Sequence, residues 1–315
     1  MIGTHRIKIQ DVRVCYDFEI KYKITLIRGE SGSGKSTLIR LVQRHNEGVR
    51  GVKVESDYKL VAMNLKHHYD LSCYSNCIIF IDESSFNSLK DKTIISFINN
   101  SDNYFVIVSR KDNFYEIPYS IDAIMKLNAD RKNNMTYNTM SSVFSRHASN
   151  DFNNVDTIVC EDSQVGCNII EKAFTSTKII SSNGNSNICF KVEELLENKK
   201  NFGIMVDSVA FGPYIERIIR LRESNYYFTI VAPECIEQVI LFTKIFYNSK
   251  DKVRIVNPFE FADISKFVTL ERYYIDLLNT LCIKYLNAGY SKSKLPVRLN
   301  TAEFFEEIKM IIIKL

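Results

Sequence analysis

The segment "ITLIRGESGSGKSTLIRLV", from Ile24 to Val42, most narrows what this chain of 315 residues can fold into. An apolar run with β-branched residues stops at a glycine-rich stretch, and a helical apolar spacing starts directly after it. The stretch from Gly29 to Ser36 fits G-x-x-x-x-G-K-[ST], with a further glycine at Gly32. Gly29, Gly32 and Gly34 let successive backbone N–H groups turn toward one point with no Cβ in the way. Ser31, Ser33 and Thr37 complete the loop and the first helical turn. Lys35 offers a cation to β- and γ-phosphates, and Ser36 offers a hydroxyl to Mg²⁺. The helix that begins there points its positive end at the phosphates. These residues imply a site for ATP with Mg²⁺.

A second apolar run, "CIIFIDES", ends in Asp82 and Glu83, the Walker B arrangement. Asp82 is placed for the Mg²⁺ shell. Glu83 is placed either to polarise an attacking water or to cap the next turn. The run "YFVIVS" ends in Ser109, followed by Arg110. Ser109 is a candidate to hydrogen-bond the water or the γ-phosphate. Arg110 reads as a finger reaching a neighbouring subunit's nucleotide or as a solvated strand-end charge.

Together these motifs resemble hydrolysing P-loop ATPases of the additional-strand class, with an ABC/AAA-like core. "DESSFNSLKD" is similar to the D-loop of ABC-type ATPases, but no LSGGQ follows the phosphate loop. "LSCYS" at 71–75 lacks its glycines and leaves no room for a signature helix before the Walker B strand. The resemblance therefore implies a minimal ATPase core and leaves the mode of dimerisation open.

Alternating strand and helix patterns predict an α/β fold in two parts: a P-loop parallel sheet over 1–140 and a second Rossmann-like domain over 155–315 with C-terminal helices. The polar stretch from 128 to 154 contains the boundary, with the linker at 141–154. Strands are expected in the second part at 156–160, 177–181, 202–206, 227–232 and 252–256. Between them fall helical patterns, among them Ile236–Tyr247. The tail "EFFEEIKMIIIKL" has helical apolar spacing with mixed charge, the pattern of a packed terminal helix.

A 45% apolar and 25% charged composition is that of a soluble globular protein, and a net charge of +4 does not by itself argue for nucleic acid. Eight dispersed cysteines read as buried thiols of a reducing compartment. His67, His68, Cys73 and Cys77 have no C-x₂-C pair and read as loop and core rather than a zinc centre. With no signal-like segment and no long apolar run, the expectation is a cytoplasmic chain that does not enter a membrane.

Acidic residues gather at the expected strand ends of the second part: Glu161 and Asp162, Asp207, and Glu234. Asp162 with Ser163, and Asp207 with Ser208, also suit helix N-caps. "DSVAFG", with Asp207 and Gly212, and Glu161 at the first strand resemble the TOPRIM domain in degenerate form. Val209 stands where that family's second aspartate falls. The resemblance implies a further metal site on Glu161 and Asp207. An ATPase joined to such a domain resembles the OLD-type ATPase–nucleases, and also small ATPases of Firmicutes and their mobile elements. It implies ATP hydrolysis gating the second domain in nucleic-acid processing or phage defence. DNA or RNA, a protein partner or a second copy are the implied partners. The alternative is a nucleotide-dependent switch with no chemistry in its second domain.

Overall fold

The structure, a computed structural model, describes residues 1–63, 71–82, 90–110, 114–144, 150–161, 165–198, 200–224 and 228–315. The chain divides into two compact units: Met1–Ser145 with Phe259–Thr269, and Arg146–Pro258 with Leu270–Leu315.

The first unit runs β1 (His5–Gln10), β2 (Val14–Ile20), β3 (Ile24–Arg28), α1 (Lys35–Asn46), β4 (Lys53–Ser56), β5 (Lys59–Met63), β6 (Cys77–Asp82), α2 (Lys92–Asn100), β7 (Tyr104–Ser109), β8 (Ile124–Lys132) and β9 (Met135–Ser142). These strands form one sheet in the order β4-β1-β2-β9-β8-β3-β7-β6-β5. Neighbours from β8 through β3, β7 and β6 to β5 are parallel. β7 is buried at every position, β6 at all but Asp82, and β3 at all but Arg28. Such unbroken apolar runs mark strands covered on both faces. β1 instead alternates buried with more exposed positions. In α1, Leu38, Leu41 and Val42 pack with Ile27, Phe80 and Val106 of the sheet, which fixes where the helix starts over the strand ends.

The polar residues from Asn128 to Ser142 lie in a hairpin: β8 and β9 pair antiparallel from Met125↔Ser142 to Lys132↔Met135, and β9 reaches Ser142. Their mostly exposed side chains hide the apolar period that a sequence reading needs.

The segment Phe259–Thr269 joins the first unit from far along the chain. Lys23, 3% exposed, donates to the carbonyls of Asn99 (2.9 Å), Ser101 (2.6 Å) and Ile264 (3.1 Å). The N-terminal amine of Met1 pairs with Asp263 at 3.0 Å.

The second unit runs β10 (Thr157–Cys160), α3 (Val165–Ala173), β11 (Lys178–Ser181), α4 (Asn185–Glu197), β12 (Phe202–Met205), α5 (Ser208–Phe211), α6 (Ile215–Ser224), β13 (Phe228–Val231), α7 (Ile236–Leu241), α8 (Lys244–Tyr247), α9 (Lys252–Val256), α10 (Leu270–Leu286) and α11 (Ala302–Lys314). Its sheet has the order β11-β10-β12-β13, all parallel. The chain moves from β10 out to β11 and then returns to β12 on the other side, so the strand order reverses between β10 and β12.

Two expectations are corrected here. "KVRIV" at 252–256 is the helix α9; only Ile255 of it is buried, so β-branched propensity yields to a surface turn of helix. The expected helix Ile236–Tyr247 is broken into α7 and α8 at Thr243, whose hydroxyl donates to the Ile240 carbonyl at 2.7 Å. The tail does form a packed helix: α11 buries Phe304, Phe305, Ile308 and Ile312 and is capped by Thr301.

Candidate nucleotide-binding site

Between β3 and α1 the chain turns through Gly29–Gly34 at the carboxyl end of the parallel strands. Gly34 has φ +91°, a backbone region that costs any residue with a Cβ. At Gly29 a Cβ would lie 2.8 Å from Ser33 Oγ, so the loop closes on itself there. The loop is braced from β2, where the buried Tyr16 hydroxyl donates to the Gly34 carbonyl at 2.7 Å. Burial pushes the Tyr16 phenol up to about 12, which keeps it a neutral donor.

Lys35 is 7% exposed. Its ammonium donates to the carbonyls of Gly29 and Glu30, the latter at 2.8 Å, and to Ser33 Oγ at 2.9 Å. The loop thus holds the cation at its own mouth, where anionic oxygens can replace the loop oxygens.

A cavity of about 180 Å³ lies against the loop, lined by Glu30 to Thr37, Asp82, Val108 and Arg110. The sheet register explains the meeting: Asp82 pairs with Val108 of β7, which pairs with Ile27 of β3. Ser31, Gly32, Ser33, Gly34, Lys35, Ser36, Thr37 and Asp82 therefore share one space, as their motifs suggest. Gly29 supports the loop from outside the lining. Ser109 ends β7 fully buried, and Val108 and Arg110 on either side of it line the cavity. Glu83 lies outside the described residues, as do His67, His68 and Asp162.

A wider groove of about 560 Å³ shares Gly32, Ser33, Gly34 and Thr37 with that cavity. Arg13 and Tyr16, Arg40 and Arg44 of α1, and Thr136 and Asn138 of β9 line it. None of these stood out in the sequence, because strands distant along the chain bring them together. Arg44 pairs with Asp11 at 3.2 Å across it.

In the second unit Glu161 follows β10 and Asp207 follows β12, on the two sides of the strand-order reversal. Asn185 Nδ2 donates to Glu161 Oε1 at 2.8 Å. The half-buried Asp207 carboxyl is held well above the usual carboxylate range. Desolvation is the chief cause, followed by the charges of Glu161, Glu237 and Glu271, with Lys292 opposing. Glu237 is fully buried and accepts from the Tyr290 hydroxyl at 2.8 Å; Lys292 pairs with Glu271. The sequence reading missed Glu237, Glu271, Tyr290 and Lys292. A glutamate inside the apolar run "CIEQVILF" was the available signal for Glu237. Val209 is buried, and among the described residues no three of His, Cys, Asp and Glu are grouped to hold a metal ion.

Among the described residues no helix is long and apolar enough to cross a membrane. No family model matches this chain, and no solved structure matches it. Over 47 residues it is 45% identical to the phosphate import ATP-binding protein PstB 1 of Vibrio cholerae serotype O1. That similarity spans 15% of this chain and 17% of the relative, and it supports nucleotide binding.

Proposed function

We propose that the first unit binds ATP with Mg²⁺ and hydrolyses it, and that its nucleotide state gates the second unit. The carrying observation is the single cavity that Gly32–Thr37, Asp82 and Arg110 share at the ends of parallel strands. The insertion of β7 between β3 and β6 supports the additional-strand reading. The similarity to an ATP-binding protein is consistent with it.

Ser36 and Asp82 fit Mg²⁺ by donor chemistry, a hydroxyl and a carboxylate on one cavity, both hard oxygen ligands. When bound, the ion supplies charge neutralisation between phosphate oxygens. Lys35 exchanges its loop carbonyls for β- and γ-oxygens, and loop N–H groups cradle the β-phosphate. Glu83, one residue past Asp82, takes the role of orienting and deprotonating water. Ser109, one step from the cavity lining, is proposed to hydrogen-bond the water or the γ-phosphate, and Arg110 either reaches a neighbouring subunit's nucleotide as a finger or stays a solvated strand-end charge. Phosphate release by the full chain, wild type against Glu83→Gln, tests the hydrolytic role. Retained binding with lost turnover supports it, and unchanged turnover removes it.

Two readings remain for the second unit. In the TOPRIM-like one, Glu161 and Asp207 hold a second metal ion for phosphodiester chemistry on DNA or RNA, in a defence role. Their mutual charge effect across the strand-order reversal favours it. In the other, the unit recruits a partner or a second copy without chemistry. The buried Val209 in place of an acid favours this one. Mg²⁺-dependent DNA nicking that disappears in Glu161→Ala separates the two.

A further inference from the structure

Two sulfur atoms in the second unit lie unusually close together. Cys160, the last residue of β10, and Cys167, in the first turn of α3, have their Sγ atoms 3.1 Å apart. Both are buried, and Cys160 Sγ also lies 3.7 Å from the Ile180 carbonyl of β11. A disulfide needs an S–S distance of about 2.05 Å, so roughly 1 Å of approach joins the pair. The end of β10 and the first turn of α3 already present the two thiols to each other.

The other buried thiols are differently placed. Cys15 lies in β2, Cys77 opens β6, Cys189 lies in α4, Cys235 precedes α7 and Cys282 lies in α10. Cys73 is exposed. Cys167 sits where the amide dipoles of a helix start favour negative charge.

We propose that Cys160 and Cys167 form a reversible dithiol–disulfide site whose co-reactant is a small-molecule disulfide of the glutathione type. The Cys167 thiolate attacks one sulfur of oxidised glutathione, forming a mixed disulfide and expelling one glutathione thiolate. That thiolate takes the Cys160 proton. The Cys160 thiolate then attacks the Cys167 sulfur and expels the second glutathione as a thiolate, which takes from solvent the proton that Cys167 released. Two protein thiols become one disulfide, and one glutathione disulfide becomes two thiols. The new bond ties the end of β10 to the start of α3 and closes a short ring that contains Glu161. The redox state thereby sets the freedom of the carboxylate that faces the strand-order reversal.

The test uses the full chain carrying Cys73→Ser, equilibrated with oxidised and reduced glutathione at several ratios. It is then acid-quenched, unfolded, alkylated and mapped by peptide mass, with circular dichroism recording the fold before the quench. The expected product is a peptide containing both cysteines that carries no alkyl group and is lighter by two hydrogens. It should revert with dithiothreitol and be absent when Cys160→Ser or Cys167→Ser is added. Two alkyl groups on that peptide at every ratio, or glutathione held on one of the two with no internal bond, overturns the proposal. The Cys73→Ser chain alone decides the outcome, so a poorly folding double variant does not obscure it.

Discussion

The Tyr16 hydroxyl donates a 2.7 Å hydrogen bond to the carbonyl of Gly34, tying β2 to the residue that opens α1. A Cβ on Gly34 would stand 3.0 Å from that same hydroxyl, in a backbone conformation of φ +91°. Tyr16→Phe removes the donor from a buried acceptor, a loss of about 1 kcal/mol in stability. It should also weaken ATP binding several-fold, because the loop loses its brace. Gly34→Ala should be worse, since φ and space both oppose it. Urea unfolding and nucleotide titration of both variants check this; equal affinity in Tyr16→Phe would show that the loop holds its shape unaided.

Lys23 gives a pH signature. Burial lowers its ammonium from 10.5 to about 8, while the unfolded chain holds the proton up to 10.5. Between these values the unfolded state binds more protons, so the group's contribution to stability rises with pH across that window. Lys23→Met removes the titration and leaves three carbonyls without their donor. Wild-type stability relative to Lys23→Met should therefore climb from about pH 8 toward 10.5, by at most about 1.4 kcal/mol per pH unit. A flat or falling difference in urea unfolding at pH 7.5 and 9.5 contradicts the assignment.

Asp207 has the opposite sign. Its folded-state carboxyl keeps its proton above the 3.8 at which the unfolded group loses it. Its contribution therefore falls as pH rises above that value. Asp207→Asn, neutral and of similar shape, should melt above wild type at pH 7.5, and the difference should close as pH approaches 3.8. A lower melting temperature for Asp207→Asn at pH 7.5 would mean that the ionised form is compensated.

Gly203 in β12 leaves no room for a side chain. An added Cβ would meet Phe152 Cε2 at 2.5 Å, within a fully buried contact. Gly203→Ala should cost about 1–3 kcal/mol through overpacking, and Phe152→Leu should recover part of that loss. Additive losses in the double variant would contradict the contact.

Much of this was readable because particular signals are local. The phosphate loop announces itself through glycine positions, and β3, β6 and β7 through unbroken apolar runs. Other features depend on distant chain segments. The hairpin β8–β9 is mostly exposed, so its sequence lacks a clean apolar period and its strands show only through their pairing. Residues 259–269 belong to the first unit through Lys23 and Met1, a relation between positions far apart in the chain. At 252–256, β-branched propensity pointed to a strand, but only Ile255 is buried, and a helix forms. Tyr290 and Lys292 reach Glu237 and Glu271 only through the folded second unit.

Equilibrium titration of the full chain with a fluorescent ATP analogue, with and without Mg²⁺, tests the central claim most directly. Wild type should bind saturably and more tightly with Mg²⁺. Lys35→Ala should lose binding, and Asp82→Ala should lose only the Mg²⁺-dependent gain. Absence of saturable binding in wild type, or equal binding in Lys35→Ala, would contradict the nucleotide site at Gly29–Thr37.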